Sequence, residues 1–376
     1  MSPGVPGLDA RTTANEDTLF YHKFSGEVQG FFQVKNLLTE TRVRTMKVSG
    51  AKSQGFATYG QLIAKYHVPG TALLGNSAVG DRIPFGEVKI DTDNVAIVSQ
   101  WINDLDKLKA SYELRAPVAR ALGYALAHRS DYDRFASIIR AARMNGWHPD
   151  LQRDPTGNFT WGGQSGAVDS DSAPGASGIN SAYQRTHNAS LRGAALTNNA
   201  ANLINAFLKI RQGFEERNAP EGEVFLAIQP AQYYMLLNVG AGVGPVAINR
   251  DWSPDNGSLA QGVVGSIAGM KLLVTQNLPK ADHIAATATD NGKTKTGGNS
   301  YNGDFSNTLA VAWAPDAIGV LECQGITTDE TYMQMYQAHL MLAKYCRGSN
   351  VLNPVLAAEL WGSDTACTDA KLFPDT

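Results

Sequence analysis

The sequence predicts a mixed α+β fold, and three features carry that prediction. Helical and extended patterns follow one another without the strand–helix–strand rhythm of a parallel α/β protein, and no internal repeat is present. A long β-hairpin with a glycine-rich tip is predicted between about residues 42 and 98. One very long amphipathic helix is predicted directly after it, over residues 116–144.

The N-terminal region combines a polar arm with a short aromatic segment. Residues 1–18 are rich in Pro, Gly and Thr, a composition typical of a flexible arm. Phe20, Phe24 and Phe31 then recur near helical spacing, although two glycines interrupt them. This pattern predicts a short amphipathic helix, which either binds a partner surface or packs in the local core.

The hairpin is predicted from alternating residues on both sides of a glycine-rich loop. Alternation in Arg42–Lys47 indicates a strand with a solvated face, and Phe56–Tyr59 continues the extended pattern. Glu87–Asp91 alternates cleanly on the return, and Val95–Val98 is apolar. Two strands with a glycine-rich connection between them form a hairpin with no helix inside it.

The long helix has both of its ends marked in the sequence. Pro117 suits the first turn, where the missing N–H costs nothing. Val118, Leu122 and Leu126 begin an apolar stripe that continues to Ala142, and Asn145-Gly146 supplies a stop signal. At about 28 residues the helix would span about 42 Å, long enough to cross the body of the molecule.

The second half of the chain predicts shorter elements between two polar loops, at 150–192 and 287–307. A helix is predicted over Leu191–Phe214, a buried strand over Glu223–Ile228 and a proline-started helix over Gln229–Leu237. The remaining predictions are strands within Ser258–Thr275, a strand over 309–321 with a turn at Pro315, a long extended segment over Thr331–Lys344, and a last strand pair over Asn350–Trp361 around Pro354.

The glycine-rich loop has the spacing of a phosphate-binding loop but lacks its chemistry. Gly70-x-x-x-x-Gly75-Asn76-Ser77 differs from the nucleotide motif by Asn76 at the lysine position. Two glycines and Pro84 exclude a helix over residues 78–87. Without a helix N-terminus the loop loses its dipole and its aligned N–H groups, so we expect a hairpin tip and no ATPase site.

No catalytic, cofactor or metal site is predicted. The seven histidines show no metal-binding spacing, and His128 is expected on the surface of the long helix. Asp131 and Asp133 lie on opposite faces of that helix, so they cannot act as a carboxylate pair. Cys323, Cys346 and Cys367 are too few and too scattered for a disulfide framework or a metal knuckle.

Charge and hydropathy exclude further classes of function. Lys and Arg number 32 against 35 Asp and Glu, a net charge of −3, so the chain lacks the basic surface that grips nucleic acid. No apolar run is long enough to cross a bilayer. The first residues lack a secretory signal, and we expect a protein made in a reducing cytoplasm.

In combination, the order of elements and a set of short motifs resemble the major capsid proteins of tailed bacteriophages, which share the Hong Kong 97 fold. The resemblance is closest to the short-tailed T-seven-like group and its relatives that infect marine cyanobacteria. It covers about residues 18–362 and is carried by Phe24–Val28, Ser49–Ser53, Val68–Gly70, Ile90–Asp91, Ile102–Asp106, Pro230–Tyr233, Ala268–Met270, Asn277–Pro279 and Asn350–Pro354.

The resemblance implies a division of the chain into the parts of such a capsid protein. Residues 1–54 would be the N-arm and 55–98 the extended hairpin called the E-loop. Residues 99–150, completed by 325–348, would be the peripheral domain with its spine helix. Residues 151–324, completed by 349–364, would be the axial domain, and 365–376 a C-terminal tail.

The resemblance also implies where copies of the chain touch. The E-loop would lie across a neighbour's peripheral domain, and the N-arm would contact a neighbour through Phe20, Phe24 and Phe31. The expected E-loop contacts are Tyr66, His67, Gly70, Gly75, Gly80, Arg82, Glu87 and Lys89. Lys65 has no identifiable crosslinking partners, so we expect no covalent bonds between subunits.

The resemblance finally implies partners and a place of action. Many copies, as hexamers and pentamers, would form an icosahedral virion shell in the host bacterial cytoplasm, with a scaffolding protein and a portal protein. Packaged double-stranded DNA would be bound only non-specifically, and no membrane would be involved. A bacterial nanocompartment shell of the encapsulin type shares the fold and is the alternative; an enzyme with a discontinuous site would instead be a small oligomer.

Overall fold

The structure is a computed structural model. It describes residues 28, 36–59, 69–70, 85–104, 115–143, 192–216, 222–237, 266–282, 295–296, 299–301, 303–353 and 356–364. Of the predicted aromatic helix at 18–32, Val28 alone is described. It is helical and fully buried against the long helix and the strands beside it, as a local core position requires.

The elements follow the mixed order that the sequence predicts. The strands are β1 (Arg44–Lys47), β2 (Ser53–Tyr59), β3 (Phe85–Asp91), β4 (Ala96–Asn103), β5 (Phe225–Ile228), β6 (Ser266–Ile267), β7 (Met270–Val274), β8 (Lys295–Thr296), β9 (Asn299–Ser300), β10 (Thr308–Trp313), β11 (Ile318–Met333), β12 (Ala338–Val351) and β13 (Ala357–Trp361). The α-helices are α1 (Arg115–Arg143), α2 (Ala200–Glu216) and α3 (Pro230–Leu237), with 3-10 turns at Ala194–Thr197 and Pro315–Ala317.

The long helix α1 confirms the predicted spine and packs against the two larger sheets of the described residues. Its first half, including Leu122 and Leu126, shares a core with β4 and β12. Its second half, including Phe135 and Ile139, shares a core with β10 and β13. Arg140 and Arg143 lie in the last turn, where positive charge interacts favourably with the negative end of the helix dipole.

The first sheet has four strands in the order β1-β11-β12-β4. β1 runs parallel to β11, whereas β11–β12 and β12–β4 are antiparallel. The predicted single extended segment at Thr331–Lys344 is wrong, because the chain reverses at residues 334–337 to form the β11–β12 hairpin. That turn contains no glycine or proline, and Gln337 supplies the positive φ of 45°, so the usual turn signals were absent.

The second sheet has five strands in the order β13-β10-β5-β7-β6 and is covered on both faces. Alternate residues of β5 pack toward α1 and toward α2, so β5 is buried throughout, as expected for a strand with two covered faces. The predicted last strand pair is wrong as a pair, because β12 and β13 lie in different sheets.

The helix predicted from Leu191 begins later than the apolar pattern indicates. Residues 194–197 form a 3-10 turn, and α2 starts at Ala200. Asn199 caps it: the side-chain Oδ1 accepts hydrogen bonds from the N–H groups of Ala201 and Asn202 at 3.0 and 3.4 Å. Asparagine is among the favoured N-cap residues, and this signal could have placed the boundary.

Candidate assembly surfaces

The β2–β3 hairpin confirms the inner part of the predicted hairpin, whereas β1 and β4, which were predicted within it, pair in the first sheet. The strands pair in antiparallel register from Ser53 opposite Asp91 to Tyr59 opposite Phe85. Within the described residues, β2 and β3 form a sheet of their own and join no other strand. An isolated two-stranded ribbon is only marginally stable in water, so this shape suits a segment that rests on another surface.

The root of the hairpin is held by a small apolar core. Phe56, Val88 and Ile90 pack with Leu321 and Leu352, and all five are buried. Gly319 of β11 allows this approach, because a Cβ atom there would lie 2.7 Å from Ile90 Cδ1 and 3.0 Å from Leu352 Cδ1. The root is therefore fixed to the body through β11.

A polar cluster joins the same root to α1 and β12. Tyr301 donates a hydrogen bond to Asp93 Oδ2 at 2.5 Å and accepts one from the N–H of Ser349 at 3.0 Å. The Ser349 hydroxyl lies 2.9 Å from that of Ser137 on α1. Asp93 lies between β3 and β4, so this network connects the hairpin root to the spine helix.

Asp133 adds a titratable group to the cluster. Its carboxylate pairs with Arg129 at 2.9 Å and keeps 17% of its side chain exposed. Burial raises the pKa of Asp133 to about 7, the Asp93 carboxylate adds to the rise, and Arg129 opposes it. Asp131, two residues earlier, faces elsewhere, as predicted: it accepts from the N–H groups of Leu37 and Leu38 and from the Asn277 amide.

One face of the first sheet carries no covering element among the described residues. Ala96, Val98 and Ile102 of β4 point toward α1, so Ile97, Ser99 and Trp101 point to the opposite side, since strand residues alternate. Ile97 is 55% exposed. On β12, Leu340 and Leu342 stand opposite Trp101 and Ser99, and Lys344 stands opposite Ile97. Lys344 pairs with Asp329 of β11 at 2.6 Å.

The tip of the β11–β12 hairpin continues this apolar face. Met335 is 92% exposed and Tyr336 is 61% exposed. The Tyr336 ring lies 5.5 Å from that of Trp101, and the Tyr332 hydroxyl donates to Asp104 Oδ2 at 2.9 Å. We name Ile97, Trp101, Leu340, Leu342, Met335 and Tyr336 the open face. Large exposed apolar patches mark interaction sites.

The structure places only part of the residues predicted to contact other subunits. Gly70 is exposed with a φ of 91°, a conformation that favours glycine. Lys89 lies on β3 with 70% of its side chain exposed, 4.0 Å from Asp91. Glu87 lies on β3. The other predicted contacts lie outside the described residues: Phe20, Phe24, Phe31, Tyr66, His67, Gly75, Gly80 and Arg82.

The open face was not predicted as a site. The turn at 334–337 was not predicted, so the hairpin tip was not recognised. A half-exposed apolar strand such as β4 has the sequence pattern of a buried core strand.

The described residues contain no cluster of three or more potential metal ligands. Among the described helices, none combines the length and the apolar character that a membrane span requires.

Three solved structures share this arrangement of elements. The capsid of cyanophage P-SCSP1u is similar with a TM-score of 0.60 and 24% identity, over 85% of this chain and 86% of that one. The bacteriophage PhiM1 mature capsid gives 0.56 and 16%, over 85% of each chain. A virus-like particle from Pyrococcus furiosus gives 0.50 and 12%, over 91% and 99%. The fold is therefore of the Hong Kong 97 type.

The sequence places the chain within that class. A model of the Gp10A-like major capsid protein family matches residues 163–361, more than half of the 376 residues. The chain belongs to this family of major capsid proteins, as the sequence resemblance predicted. A comparison with curated proteins finds no match.

Proposed function

We propose that this chain assembles as hexamers and pentamers into the icosahedral shell that encloses the double-stranded DNA of a tailed bacteriophage. Two surfaces of the chain support the proposal. One is the β2–β3 hairpin with its fixed root, and the other is the open face. Neither surface finds a partner within the described residues. Complementary surfaces at different places on one chain give head-to-tail contacts, which close into rings when the rotation fits.

In the proposed contact the β2–β3 hairpin of one copy lies across the open face of its neighbour. Lys89 and Glu87 of the hairpin would contact the neighbour. The other contacts expected from the sequence, in the segment between β2 and β3, are Tyr66, His67, Gly75, Gly80 and Arg82. Phe20, Phe24 and Phe31 of the N-arm would add apolar contacts between copies. Many modest contacts of this kind stabilise a closed shell through their number.

The proposed parts of the subunit follow the family. Residues 1–54 act as the N-arm, 55–98 as the E-loop, 99–150 with 325–348 as the peripheral domain, 151–324 with 349–364 as the axial domain and 365–376 as a tail. Assembly takes place in the host bacterial cytoplasm on a scaffolding protein, with a portal protein at one vertex. The near-neutral charge suits a wall that confines DNA without binding its bases.

A nanocompartment shell is the second candidate, because the Pyrococcus furiosus particle has the same fold. Its sequence identity to this chain is 12%, which supports a shared fold but not a shared function. The match to the Gp10A-like family favours the phage capsid. Nuclease-resistant double-stranded DNA inside particles from an infected host would support the phage capsid, whereas particles filled with a protein cargo would support the nanocompartment.

Gel filtration and negative-stain electron microscopy of the chain expressed alone test whether it forms shells. We expect closed or aberrant shells, tubes, or discrete five-fold and six-fold rings at high protein concentration. A sharp monomer or dimer that never assembles, even with a candidate scaffolding protein added, would contradict the proposal.

A further inference from the structure

Cys323 and Cys346 lie close together on the two strands of the β11–β12 hairpin. Glu322 pairs with Arg347 and Gln324 pairs with Cys346, so Cys323 is the extra residue of a β-bulge. A bulge sets two residues of one strand against one of the other, here Cys323 and Gln324 against Cys346. The Cys323 thiol lies close enough to hydrogen-bond with that of Cys346, and both thiols are free.

The two thiols differ in their access to solvent. Cys323 is exposed, whereas Cys346 is buried and donates its S–H to the Asp93 carbonyl at 3.2 Å. An oxidant can therefore reach Cys323 first. The bulge sets Cys323 beside Gln324, which is the register partner of Cys346, and a hydrogen bond between the two thiols requires the sulfurs to lie close together.

The bulge lies where two parts of the hairpin meet. Below it, Gly319–Glu322 of β11 pair with β1. Above it, Ala338–Tyr345 of β12 pair with β4. The β11–β12 ladder shifts register twice between Glu322 and Thr327, so the segment 323–326 is the joint of the hairpin.

We propose that Cys323 and Cys346 form an intrachain disulfide when the protein moves from a reducing to an oxidising medium, and that this bond locks the joint of the hairpin. The proposal rests on the fold of one chain and does not require a shell. A virion leaving its host would meet such a change of medium, since the cytoplasm keeps thiols reduced.

The reaction balances with oxidised glutathione as the oxidant. The Cys323 thiolate attacks one glutathione sulfur, which forms a mixed disulfide and releases the first glutathione thiolate. The Cys346 thiolate then attacks the Cys323 sulfur, which forms the internal disulfide and releases the second. Two protein thiols are oxidised, one glutathione disulfide is reduced to two thiols, and the two thiol protons pass to solvent or to the released glutathione.

The second step should depend strongly on pH. Burial raises the pKa of the Cys346 thiol to about 11, and the neighbouring Cys323 adds to the rise. Only the thiolate attacks, so at pH values below that pKa the rate of internal bond formation should rise roughly tenfold for each unit by which the pH is raised. At neutral pH the mixed disulfide should accumulate first and convert as the pH is raised.

The test oxidises the purified full-length chain with glutathione disulfide and counts the thiols that remain. We expect the count to fall from three to one, with the tryptic peptide Tyr345–Arg347 joined to the peptide that contains Cys323. Cys323→Ser and Cys346→Ser should each abolish the bond, whereas Cys367→Ser is the control and should leave it unchanged. The oxidised chain should unfold several degrees higher than the reduced chain.

Three outcomes would overturn the proposal. A mixed glutathione disulfide on Cys323 that persists at alkaline pH, with no bond to the Tyr345–Arg347 peptide, would show that the two sulfurs cannot meet in the folded chain. A disulfide between two chains, visible as a dimer on a non-reducing gel, would assign Cys323 to a contact between copies. An internal disulfide with no change in unfolding temperature would leave the bond but reject the lock.

Discussion

Gly319 decides how closely the hairpin root can approach the body of the subunit. A methyl group there would lie 2.7 Å from Ile90 Cδ1 and 3.1 Å from Leu352 Cγ. We expect Gly319→Ala to lower the free energy of unfolding by about 1–3 kcal/mol, the usual cost of forcing extra volume into a packed core. Urea denaturation of the full chain measures the change.

The neighbour that causes the clash offers a matched rescue. Ile90→Val removes the Cδ1 atom, so the double variant should recover part of the loss and the two changes should be non-additive. Gly325→Ala is the control, because its nearest neighbour would be 3.8 Å away. Equal losses for Gly319→Ala with and without Ile90→Val would reject this explanation of the root.

Asp133 makes the stability of the polar cluster depend on pH. Its pKa is raised to about 7 in the folded chain from 3.8, so between these values the folded state binds more protons than the unfolded state. Stability from this group is therefore greatest below about pH 4 and is lost as the pH rises through 7. We expect Asp133→Asn to flatten that part of the profile.

Thermal unfolding at a series of pH values from 4 to 8 checks this sign. Asp131 also has a raised pKa, chiefly through burial, so the informative quantity is the difference between the wild type and Asp133→Asn. Wild-type and variant curves that stay parallel over this range would show that Asp133 titrates as an ordinary carboxyl.

At the scale of elements, the end of α1 is attached to the second sheet by a buried ion pair. Arg143 Nε and Nη2 donate to the two oxygens of Glu359 at 2.6 and 2.7 Å, and both side chains are almost fully buried. Thr308 donates to the same carboxylate at 2.6 Å. The guanidinium also lies over the rings of Phe305 and Trp361.

Breaking this pair should be far more costly than breaking an exposed one. We expect Arg143→Met to destabilise the fold by about 3–5 kcal/mol, because it leaves a buried carboxylate without its counter-charge. Arg211→Met is the matched control, since its exposed pair with Glu215 on α2 should contribute no more than about 0.5 kcal/mol. Similar losses for the two variants in thermal unfolding would contradict the role of the buried pair.

Some of these elements could be predicted from the sequence and others could not. The bounds of α1 and the pairing of β2 with β3 were predictable, because helical periodicity and strand alternation are local signals. The turn at 334–337 was not, since it lacks glycine and proline, and with it the open face was missed. The Asp93–Tyr301–Ser349 network and the meeting of Cys323 with Cys346 depend on residues distant in sequence, which no local pattern brings together.

At the scale of the whole molecule, the two larger sheets share one spine helix, and the root of the β2–β3 hairpin packs on β11 of the first sheet. β11 and β12 link the parts: their lower residues pack near the hairpin root, and their upper residues form the open face with β4. A second copy that rests on the open face would therefore contact the β11–β12 hairpin, whose strands also hold the root of the first copy's own β2–β3 hairpin.

We propose that residues 60–84, which connect β2 to β3, join copies of the chain and are dispensable for the fold of one copy. Residues 60–84 can be replaced by Asn-Gly, because Tyr59 and Phe85 are a cross-strand pair that a two-residue turn can close. Negative-stain electron microscopy of the wild type and this variant, prepared side by side, is the most direct measurement. We predict shells from the wild type, and from the variant a chain with an unchanged circular dichroism spectrum that forms none; closed shells of normal size from the variant would contradict the account.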